Sequence, residues 1–96
     1  MTIGVIATLT VAEGKNAEFE KIFTELVTQV NTRETGCNFY QAHKSRKDPQ
    51  VYVVLEQYAD QEAFDAHGKT EYFRTLGKQL GVCLAAPPAI EMVDGI

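Results

Sequence analysis

Cysteine is scarce in this chain of 96 residues, which contains only Cys37 and Cys83 and no C-x-x-C motif. This scarcity excludes a small scaffold held together by disulfides, because such scaffolds are rich in cysteine. No basic segment of signal-peptide type precedes the first apolar stretch, so we expect a cytoplasmic location, where thiols stay reduced. Both cysteines are therefore predicted to be free and to pack as small apolar side chains.

Positive charge is also scarce: 9 lysines and arginines stand against 13 acidic residues, which gives a formal net charge of −4. Because the charges are scattered along the chain, no basic surface is predicted for phosphate backbones or anionic lipids. We therefore expect neither nucleic acid nor a membrane as a partner. The apolar stretch from Ile3 to Val11 is interrupted by threonines and is too short to span a bilayer.

Metal-binding patterns are missing as well. The two histidines, His43 and His67, form neither an i, i+4 pair nor an H-x-H motif. No acidic cluster at ligand spacing and no glycine-rich phosphate loop accompanies them, so we expect no metal ion, haem or flavin cofactor. His43 stands beside Lys44 and close to Arg46, a setting that predicts an exposed side chain.

The residues that are present follow strand-like and helix-like patterns in turn. Residues 2–11 are apolar or β-branched at nearly every position, which is typical of a strand covered on both faces. Apolar residues then recur at helical spacing over 19–30 and predict a helix that begins at Gly14 or Asn16. We expect Gly36 to end this helix in a conformation with positive φ.

The second half of the chain predicts a hairpin, a broken helix and a final strand. Strand-like residues fill three stretches: 37–46, 51–59 and 89–93. The first two flank a short turn that contains Asp48-Pro49. Asp60 and Thr70 are good N-caps for two helical segments, and Gly68 is predicted to break the helix between them.

These elements give one α+β domain over residues 1–96, in the order strand, helix, strand, strand, helix, strand. This β-α-β-β-α-β order is that of the ferredoxin-like fold, an antiparallel sheet with its helices on one face. The other face then has no cover within the chain, although the strands are apolar on both faces. We therefore expect a homodimer in which that face is buried.

Several short motifs occur along the whole chain in a characteristic order. They are Glu13-Gly14-Lys15 with Phe19, Glu34-Thr35-Gly36-Cys37 with Tyr40, Asp48-Pro49, Glu56-Gln57-Tyr58, Glu62-Ala63-Phe64-Asp65-Ala66-His67 with Tyr72-Phe73, and Pro87-Pro88. In this order and spacing they resemble the antibiotic biosynthesis monooxygenase family, whose members are small proteins that pair into dimeric α+β barrels.

The resemblance implies a pocket between the sheet and the helices, where family members bind flat, often phenolic or quinol-like compounds. Many members oxidise these compounds with molecular oxygen and without a prosthetic group. An electron-rich phenolate can itself pass an electron to oxygen, so the protein need only bind it, deprotonate it and exclude water. We therefore expect a cofactor-independent monooxygenase that acts on a small aromatic or quinol-type molecule.

Departures from the family pattern leave other activities open. Tyr58 replaces a tryptophan that the family often has, and the chain contains no tryptophan. The haem-degrading branch uses an asparagine on its first strand, where this chain has Ile6 and Ala7, so haem degradation is not expected. A tyrosine at this position also resembles the branch that isomerises a phosphorylated autoinducer-2 derivative. An isomerase of a small phosphorylated metabolite is therefore one alternative. A dimeric binding protein without catalytic activity is another.

His67 and Glu56 are the predicted catalytic residues. A neutral imidazole can take a phenolic proton near pH 7, and the alternative for His67 is a hydrogen bond to backbone at the helix end. Glu56 lies among apolar residues on a strand. A carboxyl in that setting is either an acid or base with a raised pKa or one member of an ion pair.

Four aromatic residues form the predicted substrate-binding wall: Tyr40, Tyr58, Tyr72 and Phe73. Their rings would stack on a flat substrate, and the tyrosine hydroxyls would orient it. Core packing is the alternative for each of them, since aromatic residues in a small chain are often part of the core.

Overall fold

The computed structural model describes residues 1–96, which form a four-stranded antiparallel sheet and three helices. In chain order these are β1 (Ile3–Thr10), α1 (Asn16–Arg33), β2 (Cys37–Lys44), β3 (Val51–Tyr58), α2 (Gln61–Lys69), α3 (Glu71–Cys83) and β4 (Ala89–Asp94). The strands lie in the order β2-β3-β1-β4, with the helices on one face. The predicted ferredoxin-like fold is confirmed, and α2 and α3 correspond to the two predicted helical segments. None of the three helices is both long and apolar enough to cross a bilayer.

The second and third helices begin at their predicted caps, but the break between them lies later than predicted. Asp60 accepts a hydrogen bond from the Ala63 amide at 2.8 Å, and Thr70 accepts one from the Phe73 amide at 3.3 Å. α2 continues through Gly68, so the predicted break at that glycine is wrong. The break falls at Thr70, because its extended backbone ends α2 and its side chain caps α3.

Gly36 also differs from the prediction. α1 ends at Arg33, and the only positive φ in the chain is that of Gly14, at 84°. Gly36 is instead a point of close contact, because a Cβ atom there would lie 2.7 Å from the Cβ of Ala63. The missing side chain therefore lets the start of β2 approach the first turn of α2.

The core lies between α1 and the helix-covered face of the sheet. On that face β1 places Val5, Ala7 and Leu9, because alternate residues of a strand point the same way. α1 contributes four buried residues at helical spacing: Phe19, Phe23, Leu26 and Val30. Each such buried side chain contributes roughly 1.5–3 kcal/mol to stability. Cys37 and Cys83 are free thiols, as predicted.

The opposite face of the sheet is not covered by any helix. Phe39, Leu55 and Val93 point to this side by their strand register, and each keeps 38% or 39% of its surface exposed. The sheet is therefore apolar on both faces, while the chain covers only one of them.

Candidate active site

A cavity of about 610 Å³ opens between the helix-covered face of the sheet and helices α2 and α3. Alternate residues of β1 and β3 form its floor, because they share one face of the sheet. Residues of α2 and α3 form its roof. Apolar side chains make up 12 of its 19 lining residues, a size and character typical of small-molecule sites.

Glu56 is a buried acid in the floor of this cavity. It keeps 8% of its surface exposed, and no lysine or arginine of the chain pairs with it. Its hydrogen-bond partner is Tyr58, whose hydroxyl donates to Oε1 at 2.7 Å. Burial raises the pKa of Glu56 to about 7, although the Tyr58 hydrogen bond opposes the rise; the charge of Glu34 adds to it. Glu56 can therefore both take and give a proton near neutral pH.

His67 lies in the last turn of α2, and a carboxylate from elsewhere in the chain holds its ring. Nδ1 lies 2.9 Å from Oε2 and 3.0 Å from Oε1 of Glu34, which follows the end of α1. Tyr72, near the start of α3, donates a short hydrogen bond to the same Oε2. Because the carboxylate accepts a hydrogen bond from Nδ1–H, the lone pair of the neutral ring is on Nε2.

Among the buried residues of the cavity wall, three polar side-chain atoms have no partner in the protein: Nε2 of His67, the hydroxyl of Tyr40 and Oε2 of Glu56. Every polar side-chain atom that is fully shielded from solvent does have a partner, so these three atoms lie at the accessible surface of the cavity. Tyr40 and Glu56 are direct neighbours across β2 and β3, and the rings of Tyr40 and His67 are 5.4 Å apart. A ligand therefore meets an imidazole, a hydroxyl and a carboxyl at one end of the cavity.

Four of the six residues predicted from the sequence line the cavity: His67, Glu56, Tyr40 and Phe73. The rings of His67 and Phe73 are 4.6 Å apart and form one stretch of wall. Tyr58 and Tyr72 lie behind the wall, where each donates its hydroxyl to a carboxylate. These two tyrosines therefore hold Glu56 and Glu34 in place and do not themselves line the cavity.

Glu34 is the residue of this site that the sequence patterns did not single out. It directly follows a helix and stands 33 residues before His67, so no local spacing connects the two. The Glu34-Thr35-Gly36-Cys37 motif nevertheless includes a residue that places Glu34 near His67, namely Gly36. Its glycine packs against Ala63 of α2, and this contact brings the end of α1 close to the helix that carries His67.

No positive side chain lines the cavity. Lys69, Arg74 and Lys78, the lysines and arginine of α2 and α3, are exposed and do not line it. The acidic residues that do line it are Glu56 and Asp65. These surroundings favour a neutral, largely apolar ligand over a phosphorylated one.

Comparison with known proteins assigns the family. The model of the family described as antibiotic biosynthesis monooxygenase matches residues 2–79. A candidate antibiotic biosynthesis monooxygenase from Caulobacter crescentus CB15 is 44% identical, with a TM-score of 0.97 over 99% of this chain and 90% of that one. PA3566 from Pseudomonas aeruginosa is 27% identical, with a TM-score of 0.89 over 99% and 94% of the two chains. A conserved protein from Methanosarcina mazei Go1 is 25% identical, with a TM-score of 0.92 over 97% and 91%. No curated protein matches this sequence.

The matched region runs from β1 into α3 and so contains His67, Glu34 and Glu56. The chain belongs to the antibiotic biosynthesis monooxygenase family.

Proposed function

We propose that this protein is a cofactor-independent monooxygenase that oxidises a small quinol-type dihydroxyarene with molecular oxygen. Family membership suggests the reaction class. The observation that carries the proposal is the His67–Glu34 pair, whose free Nε2 lies on the wall of an apolar cavity. Nε2 takes the phenolic proton, and Glu34 stabilises the imidazolium that forms. Tyr40 and Phe73 supply aromatic surface for the flat ring.

The substrate itself supplies the electrons in this reaction. The phenolate left by proton loss passes one electron to O2, which gives an aryloxyl radical and superoxide. The two combine to form a carbon–oxygen bond, and the peroxide takes up a proton. Its O–O bond then breaks as the same carbon loses its hydrogen, so that a carbonyl forms and water leaves. One dihydroxyarene and one O2 thus give one hydroxyquinone and one water.

Glu56 is the residue best suited to protonate the peroxide. Its pKa of about 7 leaves a protonated fraction at neutral pH, and its Oε2 is free on the cavity side. Tyr58 holds the other carboxyl oxygen and so fixes the direction of the group. The site then separates the two roles, with His67 as the base and Glu56 as the proton donor.

An isomerase of a small phosphorylated metabolite has less support, because no lysine or arginine lines the cavity to bind a phosphate. A binding protein without catalysis would use the same cavity without needing the His67–Glu34 pair. The ordered hydrogen bonds of that pair therefore favour the enzyme over the binding protein.

We also propose that the protein is a homodimer that buries the uncovered face of its sheet. The exposed apolar side chains of Phe39, Leu55 and Val93 on that face support this arrangement. A stable interface needs about 800 Å² from each partner, an area comparable to one face of a small sheet. The two free cysteines support a reducing, cytoplasmic location.

Oxygen uptake by the purified protein tests the proposed oxidation. Hydroquinone, dihydroxynaphthalene and dihydroxyanthracene serve as substrates, each corrected for spontaneous oxidation. We expect protein-dependent uptake, one atom of isotopically labelled O2 in the product, and no accumulation of hydrogen peroxide. Uptake no faster than the spontaneous rate for all three would rule out the oxidation. Binding without uptake would then identify a binding protein.

A further inference from the structure

The three glycines that lie within helices all line the cavity: Gly68 in α2, and Gly77 and Gly81 in α3. Glycine inside a helix destabilises it relative to alanine, because the unfolded chain loses more conformational freedom. None of the three has a positive φ, so the backbone does not require glycine at these positions. Their presence needs another physical reason.

Close packing is not that reason. A Cβ atom at Gly36 or Gly4 would lie 2.7 Å from a neighbouring side chain, so contact requires glycine there. A Cβ atom at Gly68, Gly77 or Gly81 would meet nothing within 4 Å. All three glycines line the cavity, Gly77 half-buried and Gly68 and Gly81 exposed, and no protein atom fills the space beside them.

Gly77 and Gly81 extend the cavity away from its polar end. They follow Phe73 at steps of four residues, so all three lie on one face of α3, and Phe73 to Gly81 spans about 12 Å. On the floor, Val5 to Leu9 of β1 spans about 13 Å. Val5 pairs with Glu56 and Phe73 contacts His67, so both walls begin at the polar end and run in the same direction.

An independent observation points to a ligand position at the polar end of the cavity. Tyr40 keeps only 3% of its surface exposed, yet its hydroxyl has no hydrogen-bond partner in the protein and lies on the cavity wall. The hydroxyl itself is open to the cavity, so it can donate to or accept from a bound molecule without breaking a hydrogen bond within the protein. The polar end therefore has a place for a ligand hydroxyl. The stretch of wall formed by Gly77 and Gly81, here called the glycine strip, begins one helical turn beyond Phe73.

We propose that Gly77 and Gly81 are specificity-determining residues that leave room for the outer rings of a fused-ring dihydroxyarene whose hydroxyl end lies at Tyr40 and His67. The two glycines thereby set the length of the ligand. A single-ring compound fills the polar end alone and leaves the glycine strip uncovered. This inference rests on the proposed function only for the identity of the cavity as the substrate site.

Anaerobic binding measurements on the full chain test this inference separately from the oxidation. The probes are hydroquinone, dihydroxynaphthalene and dihydroxyanthracene, titrated into the wild type, Gly77→Ala and Gly77→Leu. We expect Gly77→Leu to weaken binding of dihydroxyanthracene at least tenfold and of hydroquinone less than twofold. Gly77→Ala should weaken binding of dihydroxyanthracene to a smaller degree. It should also raise Tm by roughly 2–8 °C, because alanine is the better helix former.

Thr75→Leu is the matched control, since it adds the same side chain at an exposed position of α3 outside the cavity. It should leave the order and ratio of the three affinities unchanged. Unchanged affinity ratios in Gly77→Ala, or a wild type that binds none of the probes, would overturn the inference. If the loss of affinity in the Gly77 variants grows with the length of the probe but the wild type shows no oxygen uptake, the inference is supported and the proposed oxidation is refuted.

Discussion

Glu34 and His67 are 33 residues apart in the sequence, yet Oε2 of the glutamate lies 2.9 Å from Nδ1 of the histidine. Both side chains are largely buried, at 11% and 5% exposure. The pair joins the residue that follows α1 to the last turn of α2, so it depends on the fold and not on local sequence. In that geometry the carboxylate orients the ring and leaves Nε2 free toward the cavity.

Replacing Glu34 by glutamine should lower kcat/KM by roughly 100-fold, because the neutral amide no longer stabilises an imidazolium on His67. Affinity for dihydroxynaphthalene without oxygen should stay within about threefold, since Glu34 acts through His67 and does not line the cavity. Steady-state kinetics and anaerobic titration give the two values. Glu25→Gln, an exposed change on α1, is the control. Equal losses of affinity and turnover would argue for a merely structural role of Glu34.

The raised pKa of Glu56 predicts a specific dependence of stability on pH. Its pKa is 4.5 in the unfolded chain and about 7 in the folded protein, so between these values the folded state holds more protons. The free energy of unfolding should therefore fall as pH rises from 4.5 to 7, by roughly 3 kcal/mol from this group. Urea unfolding across that range measures the slope. In Glu56→Gln this part of the slope should vanish, and an identical slope in both proteins would contradict the assignment.

Tyr40 and Tyr58 allow a matched comparison, because both are buried tyrosines but only Tyr58 has a hydrogen-bond partner. Tyr58→Phe should lower the free energy of unfolding by about 1–2 kcal/mol and raise the pKa of Glu56 further, since its hydrogen bond opposes that rise. Tyr40→Phe should leave stability unchanged within about 0.5 kcal/mol and weaken binding of dihydroxynaphthalene by roughly tenfold. Chemical unfolding and anaerobic titration of both variants measure the two quantities. A loss of stability in Tyr40→Phe without a loss of affinity would show that Tyr40 is a structural residue.

The uncovered face of the sheet predicts a dimer that a single charge should disrupt. Leu55→Glu places a carboxylate on this face, where Leu55 is 38% exposed in the single chain. We expect the wild type to show twice the chain mass by light scattering at micromolar concentration and Leu55→Glu to show a lower mass, because burying an unpaired charge is unfavourable. Val82→Glu, at a side chain 75% exposed on α3, is the control and should remain dimeric. A wild type with the mass of one chain would refute the proposed dimer.

The fold was predictable because each element carries its own signal. The helical spacing within α1, the caps Asp60 and Thr70 and the two-sided apolar character of β1 are all local. Gly36 was misjudged for a related reason: a glycine after a helix commonly has a positive φ, whereas its actual contact, Ala63, lies on another helix. Local patterns report backbone preferences and do not report which distant surfaces meet.

The site was predictable only in part. His67 and Glu56 stood out because a titratable group among apolar neighbours is unusual. The direction of each tyrosine could not be predicted, since β3 and α3 each offer both a core and a cavity environment. Tyr58 donates its hydroxyl to Glu56 of the same strand, and Tyr72 donates its hydroxyl to Glu34 after the end of α1, so both hydroxyls lie behind the wall.

His67 is the residue on which the proposed mechanism depends most directly. His67→Asn keeps an amide donor near the position of Nδ1, so the hydrogen bond to Glu34 is retained, but it removes the nitrogen that faces the cavity. Turnover should fall by roughly 100-fold or more, the range for loss of a general base, while the free energy of unfolding should change by less than about 1 kcal/mol. Oxygen uptake and urea unfolding on the same preparation give both values. His43→Asn, an exposed change on β2, should alter neither. If His67 instead serves packing alone, His67→Asn will be less stable and yet turn over normally per folded molecule, and the base must then be sought elsewhere in the cavity.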